Sequence, residues 1–407
     1  MTVIRSRGIP RSLLTQNRPV LSLLIVQLLS GIALLPQGFF FPVYLEEQLG
    51  FTAVFLSAFV AVGRLLGMIA SVIGGALADA VGRKGTLVLG LAGIMLGSLM
   101  YLTRSPWLVF VIWSVSGIGG GLHTVGGQSY LIDAAGSQHL GVLSALYHWG
   151  FTLGGALSSP GAGLVLDKGG FESFGLVLLA ISLATMVGAI AILPGLRRGA
   201  GAPVTSWSSS LFGYREVLRR RAVRLLGFMR FLPTCYYGMA SVLNPLLINR
   251  AADSKTAVAA YGTITLIAAT LAQILAGRAA DHWGSKRPTL FTYEVLVVAI
   301  LGQALFAAHL WSYYVFGVVG ICAAWALSTL MPVLVSQATA TAERGRALGA
   351  LHLLWNVGMM IGPLVGGALM EINLGLPFFI VALLNVGAIL LAITFFRVAT
   401  LPKADAA

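Results

Sequence analysis

Charge is scarce in this sequence. Only 10% of its 407 residues are Asp, Glu, Lys or Arg, while 57% are hydrophobic, a balance that excludes a water-soluble protein of this length. Cysteine is scarcer still: Cys235 and Cys322 both sit in apolar runs, so no disulfide framework and no cysteine zinc site is expected. The sequence lacks H-E-x-x-H, a phosphate-binding Gly-Lys loop, a nucleophile elbow and paired membrane aspartates, and its histidines lack metal-ligand spacing. An enzyme is therefore not expected, nor a metal or organic cofactor. With no nucleotide-binding domain, ATP-driven transport is excluded as well. Acids number 13 against 26 bases, and the net charge of +13 raises the question of nucleic acid as a partner. How those bases are distributed answers it below.

What the sequence has in abundance is long apolar runs. A membrane-spanning helix needs about 20 apolar residues, and twelve such segments are expected at 20–45, 52–78, 85–103, 106–133, 139–166, 173–196, 223–249, 256–280, 288–309, 312–338, 346–370 and 375–397. The fold class that follows is an all-α membrane protein of twelve transmembrane helices in two pseudo-symmetric six-helix bundles, at 20–196 and 223–397. A tail at 1–19, a linker at 197–222 and a tail at 398–407 complete the chain. The first apolar run is too long for a cleavable signal peptide and is followed at once by another span. The linker is rich in Gly, Ser and Arg, and Leu211 to Arg221 reads either as a helix on an anionic membrane surface or as plain connecting chain.

Alternating the spans leaves only Arg104, Lys168, Arg250 and Lys255 on one side, against twenty Lys or Arg on the other, while the acids outside the spans divide evenly. This is the positive-inside bias. It predicts a multi-pass protein of the cytoplasmic (inner) membrane with both termini cytoplasmic, whose partners are the lipid bilayer and a small molecule, not nucleic acid, and which acts as a monomer.

The sequence also repeats itself. Gly75, Asp79 and Gly82 return 202 residues later as Gly277, Asp281 and Gly284, followed by the basic pairs Arg83, Lys84 and Lys286, Arg287. Gly141, Gly150 and Gly154 return 208 residues later as Gly349, Gly358 and Gly362. Two motifs at nearly one offset mark a duplicated six-helix unit, and an even number of spans gives both copies the same sense. The stretch Gly74 to Lys84, GGALADAVGRK, resembles the signature between helices two and three of the major facilitator superfamily, and Gly277 to Arg287 resembles its second copy. Gly349 to Gly367 is similar to the family's G-x8-G-x3-G-P-x2-G-G pattern, with Gly358, Gly362, Pro363, Gly366 and Gly367 in place. The resemblance covers nearly the whole chain. It implies secondary transport by alternating access, parallel halves, and a cavity lined by helices one, four, seven and ten.

Several residues are candidates for the mechanism. Gly75 permits close helix approach, Gly82 turns the chain, and Asp79 accepts hydrogen bonds facing a helix N-terminus, while Arg83 and Lys84 need acidic partners such as Asp133. In the family this segment latches the outward-facing state. The glycines of helices five and eleven form a tight seam about which helices rock, and Pro363 favours a bend. In the family the complete pattern in helix five is associated with exporters; here the complete copy lies in helix eleven, which leaves export or antiport as a lean.

Ionisable residues within spans are costly and so are functional candidates. Arg64 and Arg230 are two such cations without carboxylates at similar depth, since Glu294 falls in helix nine, which the resemblance places at the periphery. They suggest an anionic substrate, unless Arg64 bonds backbone groups and Arg230 snorkels. Arg230, Thr234, Tyr237, Ser241 and Asn244 follow spacings of four, three, four and three, which places them on one helical face. Tyr147 and His148 correspond by repeat to Trp355 and Asn356, with His352 one turn earlier; this cluster either grips a planar ligand or links helices, and a histidine there can carry a proton. His123 in helix four has the same two readings. Trp113 stands where proton-coupled family members often carry Arg, so a proton is the candidate coupling ion only through histidine, and exchange or uniport stay open. The function expected is export or antiport of a small organic molecule. Uptake or exchange of anionic metabolites and a non-transporting receptor are the alternatives.

Overall fold

A computed structural model describes residues 17–135, 140–196, 218–340 and 343–399. Among them every regular element is helical. This follows from the solvent: in lipid each backbone N–H and C=O must be bonded inside the segment, which an α-helix achieves alone. In chain order the helices are α1 (Arg18–Leu49), α2 (Ala53–Val81), α3 (Arg83–Gly97, extended by a 3-10 turn, Ser98–Leu102) and α4 (Pro106–Ala135). The next helical stretch, Leu140–Ile192, has 53 residues. Unbroken it would run about 80 Å, far more than a hydrocarbon layer of about 30 Å. Gly170 breaks it with φ 69° and ψ −173°, a conformation that a side chain would strain, and so divides it into α5 and α6.

The second half continues with α7 (Arg221–Ala252), α8 (Lys255–Trp283), α9 (Lys286–Leu305), α10 (Leu310–Ala338), α11 (Arg344–Met370) and α12 (Leu376–Ala399). The eleven spanning-length helical segments thus hold the twelve expected spans. Near its start α10 contains one π turn, Tyr313–Gly317. Most of both tails and nearly all of the linker, including most of Leu211 to Arg221, lie outside the described residues.

The described residues form two compact units. One takes residues 17–37, 66–135, 140–158 and 171–196, and the other takes 38–65, 159–170, 218–340 and 343–399. These units cut across the sequence halves at 20–196 and 223–397. The second unit joins α7 to α12 with the end of α1, the start of α2 and the α5–α6 turn.

Each unit contains one of two repeat-related helix pairs that pack through glycine. In the first, a Cβ on Gly154 of α5 would fall within 2.9 Å of the Ile32 nitrogen of α1, and a Cβ on Gly31 would meet the Phe151 backbone. In the second, a Cβ on Gly362 of α11 would lie 2.9 Å from the Cys235 carbonyl carbon of α7, and one on Gly238 would lie 2.9 Å from the Met359 Cα. The two seams are copies. Gly154 and Gly362 are 208 residues apart, as the repeat predicts, and Gly31 and Gly238 are 207 apart. Without a hydrophobic drive between helices in lipid, this backbone proximity supplies the dispersion contacts that hold the pair.

Candidate functional site

In the second unit α2, α7 and α10 bring polar and aromatic side chains together. Arg64 of α2 is exposed and interacts electrostatically with the hydroxyl of Tyr237 on α7. Trp325 of α10 meets the Tyr237 ring edge-on, with centroids 5.9 Å apart at 79°, and its ring N–H lies within hydrogen-bonding reach of the same hydroxyl. An arginine, a phenol and an indole therefore converge. One α7 turn away from Tyr237, Thr234 donates its hydroxyl to the Arg230 carbonyl at 2.7 Å. The Arg230 side chain is half-buried, near Tyr293 of α9 and His352 of α11. His352 stacks on Trp355, with centroids 5.4 Å apart and planes 13° from parallel, while the Asn356 amide donates to the His352 carbonyl at 3.0 Å. Among the described residues no carboxylate forms an ion pair with Arg64 or Arg230.

The far end of the α7 stripe is different in kind. Ser241 is half-buried and its hydroxyl returns to the Gly238 carbonyl at 2.7 Å. Asn244 is fully buried; its amide donates to the Tyr261 hydroxyl at 2.7 Å and its oxygen accepts from Gln303 at 3.1 Å. Tyr236 closes the network by donating to Gln303 at 2.7 Å. These groups sit against Gly317, at the π turn of α10, where a Cβ would come within 3.0 Å of the Asn244 amide. A fully satisfied buried network of this kind fixes helix positions.

In the first unit, His123 of α4 is buried, its Nε2 has no hydrogen-bond partner among the described residues, and its ring centroid lies 6.5 Å from that of Phe151. His148 of α5 is exposed and meets the Tyr147 ring edge-on at 5.4 Å. The α2–α3 turn is built on Gly82 at φ 87°. Arg83 there binds Asp79 one turn back and Asp133 at the end of α4, the latter at 3.0 Å. Lys84 donates to the Ile190 and Leu193 carbonyls at the end of α6, both at 2.7 Å, which satisfies acceptors left over at a helix terminus. Gly75 has open space around its Cβ position.

The second copy of this turn keeps the shape and changes the chemistry. Gly284 has φ 74°, and the residue after it, matching Arg83, is Ser285. Its hydroxyl exchanges hydrogen bonds with Gln337 at 3.1 and 2.9 Å, and Gln337 matches Asp133 at an offset of 204. An ionic pair in one half is thus an uncharged pair in the other. Asp281, Lys286 and Arg287 are exposed, and among the described residues they form no ion pair. Gly277 has open space around it; Gly358 and Gly366 pack on α7; Pro363 lies inside α11; Gly367 packs on the first turn of α2.

A sequence model of the Major Facilitator Superfamily matches residues 23–251 and 226–406. The chain belongs to the Major Facilitator Superfamily. It is a multi-pass membrane protein, with eleven helical segments among the described residues long and apolar enough to span. Among curated relatives it is similar to the class H tetracycline resistance protein of Pasteurella multocida, 29% identical over 39% of this chain and 40% of that protein. It is also similar to citrate exporter 1 of Yarrowia lipolytica, 34% identical over 27% of this chain and 16% of that one. The chain thus spans less than half the length of the curated relatives it matches. A crystal structure of a bacterial homolog of the human lysosomal transporter Spinster shares its fold, with a TM-score of 0.74 at 14% identity over 97% of this chain and all of that one.

Sequence reasoning had not singled out Trp325, Tyr293, Gln303, Asp167 or Glu371. Nothing local distinguishes Trp325 from any other aromatic in a span. Asp167 and Glu371, by contrast, do carry a readable signal. Each follows a glycine by four residues, Gly163 and Gly367, at the same offset of 204.

Proposed function

We propose that this protein exports a small organic anion by alternating access across the cytoplasmic membrane, with its termini on the cytoplasmic side. The observation that carries the reading is the convergence of Arg64, Tyr237 and Trp325, with no carboxylate among the described residues in an ion pair with the cation. An exposed guanidinium beside a phenol and an indole offers paired hydrogen bonds to a carboxylate or enolate, and the neighbouring rings offer apolar area to the rest of the ligand. Arg230, with Tyr293 and the stacked His352–Trp355 pair, is the second polar station on the path. The distribution of basic residues supports the orientation. The similarity to an exporter of citrate and to tetracycline resistance proteins supports the direction.

Within this reading His123, His148 and His352 are the groups that can exchange a proton as the coupling ion, because the stations described above hold no acid. The turns around Asp79, Arg83 and Asp133, and around Asp281 and Lys286, serve as the cytoplasmic gate.

The test is a ligand screen by thermal stabilisation of purified protein with organic anions, citrate and tetracycline among them, beside uncharged analogues. Anions should stabilise the parent, and Arg64→Ala should weaken that binding about 10- to 150-fold, the loss of one hydrogen bond to a charged group. Arg64→Lys should recover part of it, since a point charge remains but the paired donors do not. Equal stabilisation by uncharged analogues, or unchanged anion binding in Arg64→Ala, would refute the anion reading. Accumulation of the ligand by right-side-out vesicles would reverse the direction.

A further inference from the structure

The second unit carries two matched carboxylate contacts, at the ends of α5 and α11. At the end of α5, Asp167 accepts hydrogen bonds from the backbone N–H groups of Lys255 at 2.9 Å and Thr256 at 3.0 Å. It also accepts from the Thr256 hydroxyl at 2.6 Å, with the Ser254 hydroxyl at 3.5 Å. These groups form the first turn of α8, whose N–H groups lack partners within the helix and whose partial positive charge favours an anion. At the end of α11, Glu371 accepts from the Val54 N–H at 3.4 Å, in the first turn of α2. By repeat, α5 corresponds to α11 and α8 to α2. Asp167 and Glu371 are 204 residues apart, and Val54 and Thr256 are 202 apart. Each half therefore places the acid of its fifth helix on the N-terminus of the other half's second helix.

Glycine one turn earlier makes each approach possible. A Cβ on Gly163 would lie 2.7 Å from the Ala259 Cβ and 2.9 Å from the Thr256 Cα. A Cβ on Gly367 would lie 2.5 Å from the Ala53 carbonyl oxygen and 2.9 Å from the Ser57 Cβ. The repeated unit is Gly-x3-acid, at Gly163 to Asp167 and Gly367 to Glu371. The ends of α1 and α7 add Glu46 with Arg250 and Glu47 with Lys255, and the Asn249 amide donates to Glu47 at 2.7 Å.

We infer that Gly163-x3-Asp167 and Gly367-x3-Glu371 form a two-fold pair of clasps that hold the extracytoplasmic side closed, the counterpart of the gate at the termini, and that Asp167 is the stronger member. The inference rests on the alternating-access reading above. Asp167 has two backbone donors and a hydroxyl at 3.0 Å or less, whereas Glu371 has one donor at 3.4 Å. Opening this side requires the acids to leave their helix ends. Of the neighbouring ion pairs, Glu46–Arg250 is partly exposed and contributes little, while Glu47–Lys255 is less exposed.

The experiment uses the full chain in membranes with Cys235 and Cys322 replaced by Ala, and Ser57→Cys as reporter. Ser57 is fully buried beneath the Glu371 clasp. Reaction with an impermeant maleimide is followed in right-side-out and inside-out vesicles. Asp167→Ala should raise the outside labelling rate about 2- to 30-fold, the range for loss of a capping side chain. Asp167→Asn and Gly163→Ala should move it in the same direction, and Glu371→Gln by less. The two further Asp167 and Gly163 variants keep the test decisive if Asp167→Ala fails to fold. Unchanged labelling in the folded variants, or an equal rise in Lys168→Ala, would overturn the clasp. A rise confined to inside-out vesicles would leave the clasp standing and overturn the orientation.

Discussion

The glycine seam between α7 and α11 gives a prediction whose size follows from geometry. Replacing Gly362 by Ala puts a methyl carbon 2.9 Å from the Cys235 carbonyl carbon and 3.0 Å from its Cα, where carbon contacts settle at about 3.5 to 4.0 Å. The obstacle is backbone, so no side chain can turn aside and the helices must part by about 0.6 Å or more. Such overpacking costs about 1 to 3 kcal/mol. Alanine also favours the helix over glycine by about 1 kcal/mol, so the comparison needs a control that gains the same propensity without the clash. Gly387 of α12 is that control, with nothing within 4 Å of its Cβ position. Gly358 is an intermediate case, with its closest neighbour at 3.1 Å. Heating detergent-solubilised protein and measuring what stays monodisperse should rank stability as Gly387→Ala, then Gly358→Ala, then Gly362→Ala. Gly154→Ala, the repeat-related change in the α1–α5 seam, should fall beside Gly362→Ala. Melting of Gly362→Ala together with Gly387→Ala would show that α7 and α11 do not touch in this register.

Three further outcomes are expected. Arg83→Ala should destabilise the α2–α3 turn by about 0.2 to 1 kcal/mol for each of its two partly exposed ion pairs, and Asp133→Asn should cost less than Arg83→Ala; a double-mutant cycle in low and high salt checks both, and salt-independent coupling would refute the ionic account. Grafting the ionic pair into the second copy, Ser285→Arg with Gln337→Asp, should be tolerated better than either change alone, as read by melting of the two single and one double variant. For the Asp167 clasp, burial raises the carboxyl pKa, but the Thr256 hydroxyl, the Lys255 and Thr256 N–H groups and the Lys255 charge more than offset it and hold Asp167 below the usual carboxylate range. A depressed pKa means that the clasp is fully present above the ordinary carboxylate pKa and is lost as pH falls through the lowered one. Lys168 is the neighbour of Asp167 in sequence, and Lys255 is itself bound to Glu47. Hydrogen exchange of the first turn of α8, corrected for intrinsic rate, should therefore be constant from about pH 8 to 5 and lose protection only below the ordinary carboxylate range of about 4; protection lost near neutral pH would place the sensitive group elsewhere.

The twelve spans, the duplication and the seam glycines were legible because each depends on local or repeated chemistry. Apolar length sets a span, and Gly150 and Gly154 against Gly358 and Gly362 set the packing registers of two helix pairs. Even the α5–α6 break at Gly170 needs only a hydrocarbon layer too thin for 53 helical residues. Periodicity also put Arg230, Thr234, Tyr237, Ser241 and Asn244 on one face of α7, but a face names no neighbours. Which of the five meet Arg64 and Trp325, and which close a buried network with Tyr261 and Gln303, depended on the helices that α7 packs against. The same holds for the turns. Identical glycines at 82 and 284 give the same backbone shape, yet only the helix ends brought beside them make one pair Arg83 with Asp133 and the other Ser285 with Gln337. Asp167 and Glu371 belong between these cases: their spacing from glycine repeats along the chain, but an acid becomes a helix cap only where tertiary packing delivers the free N–H groups of another helix.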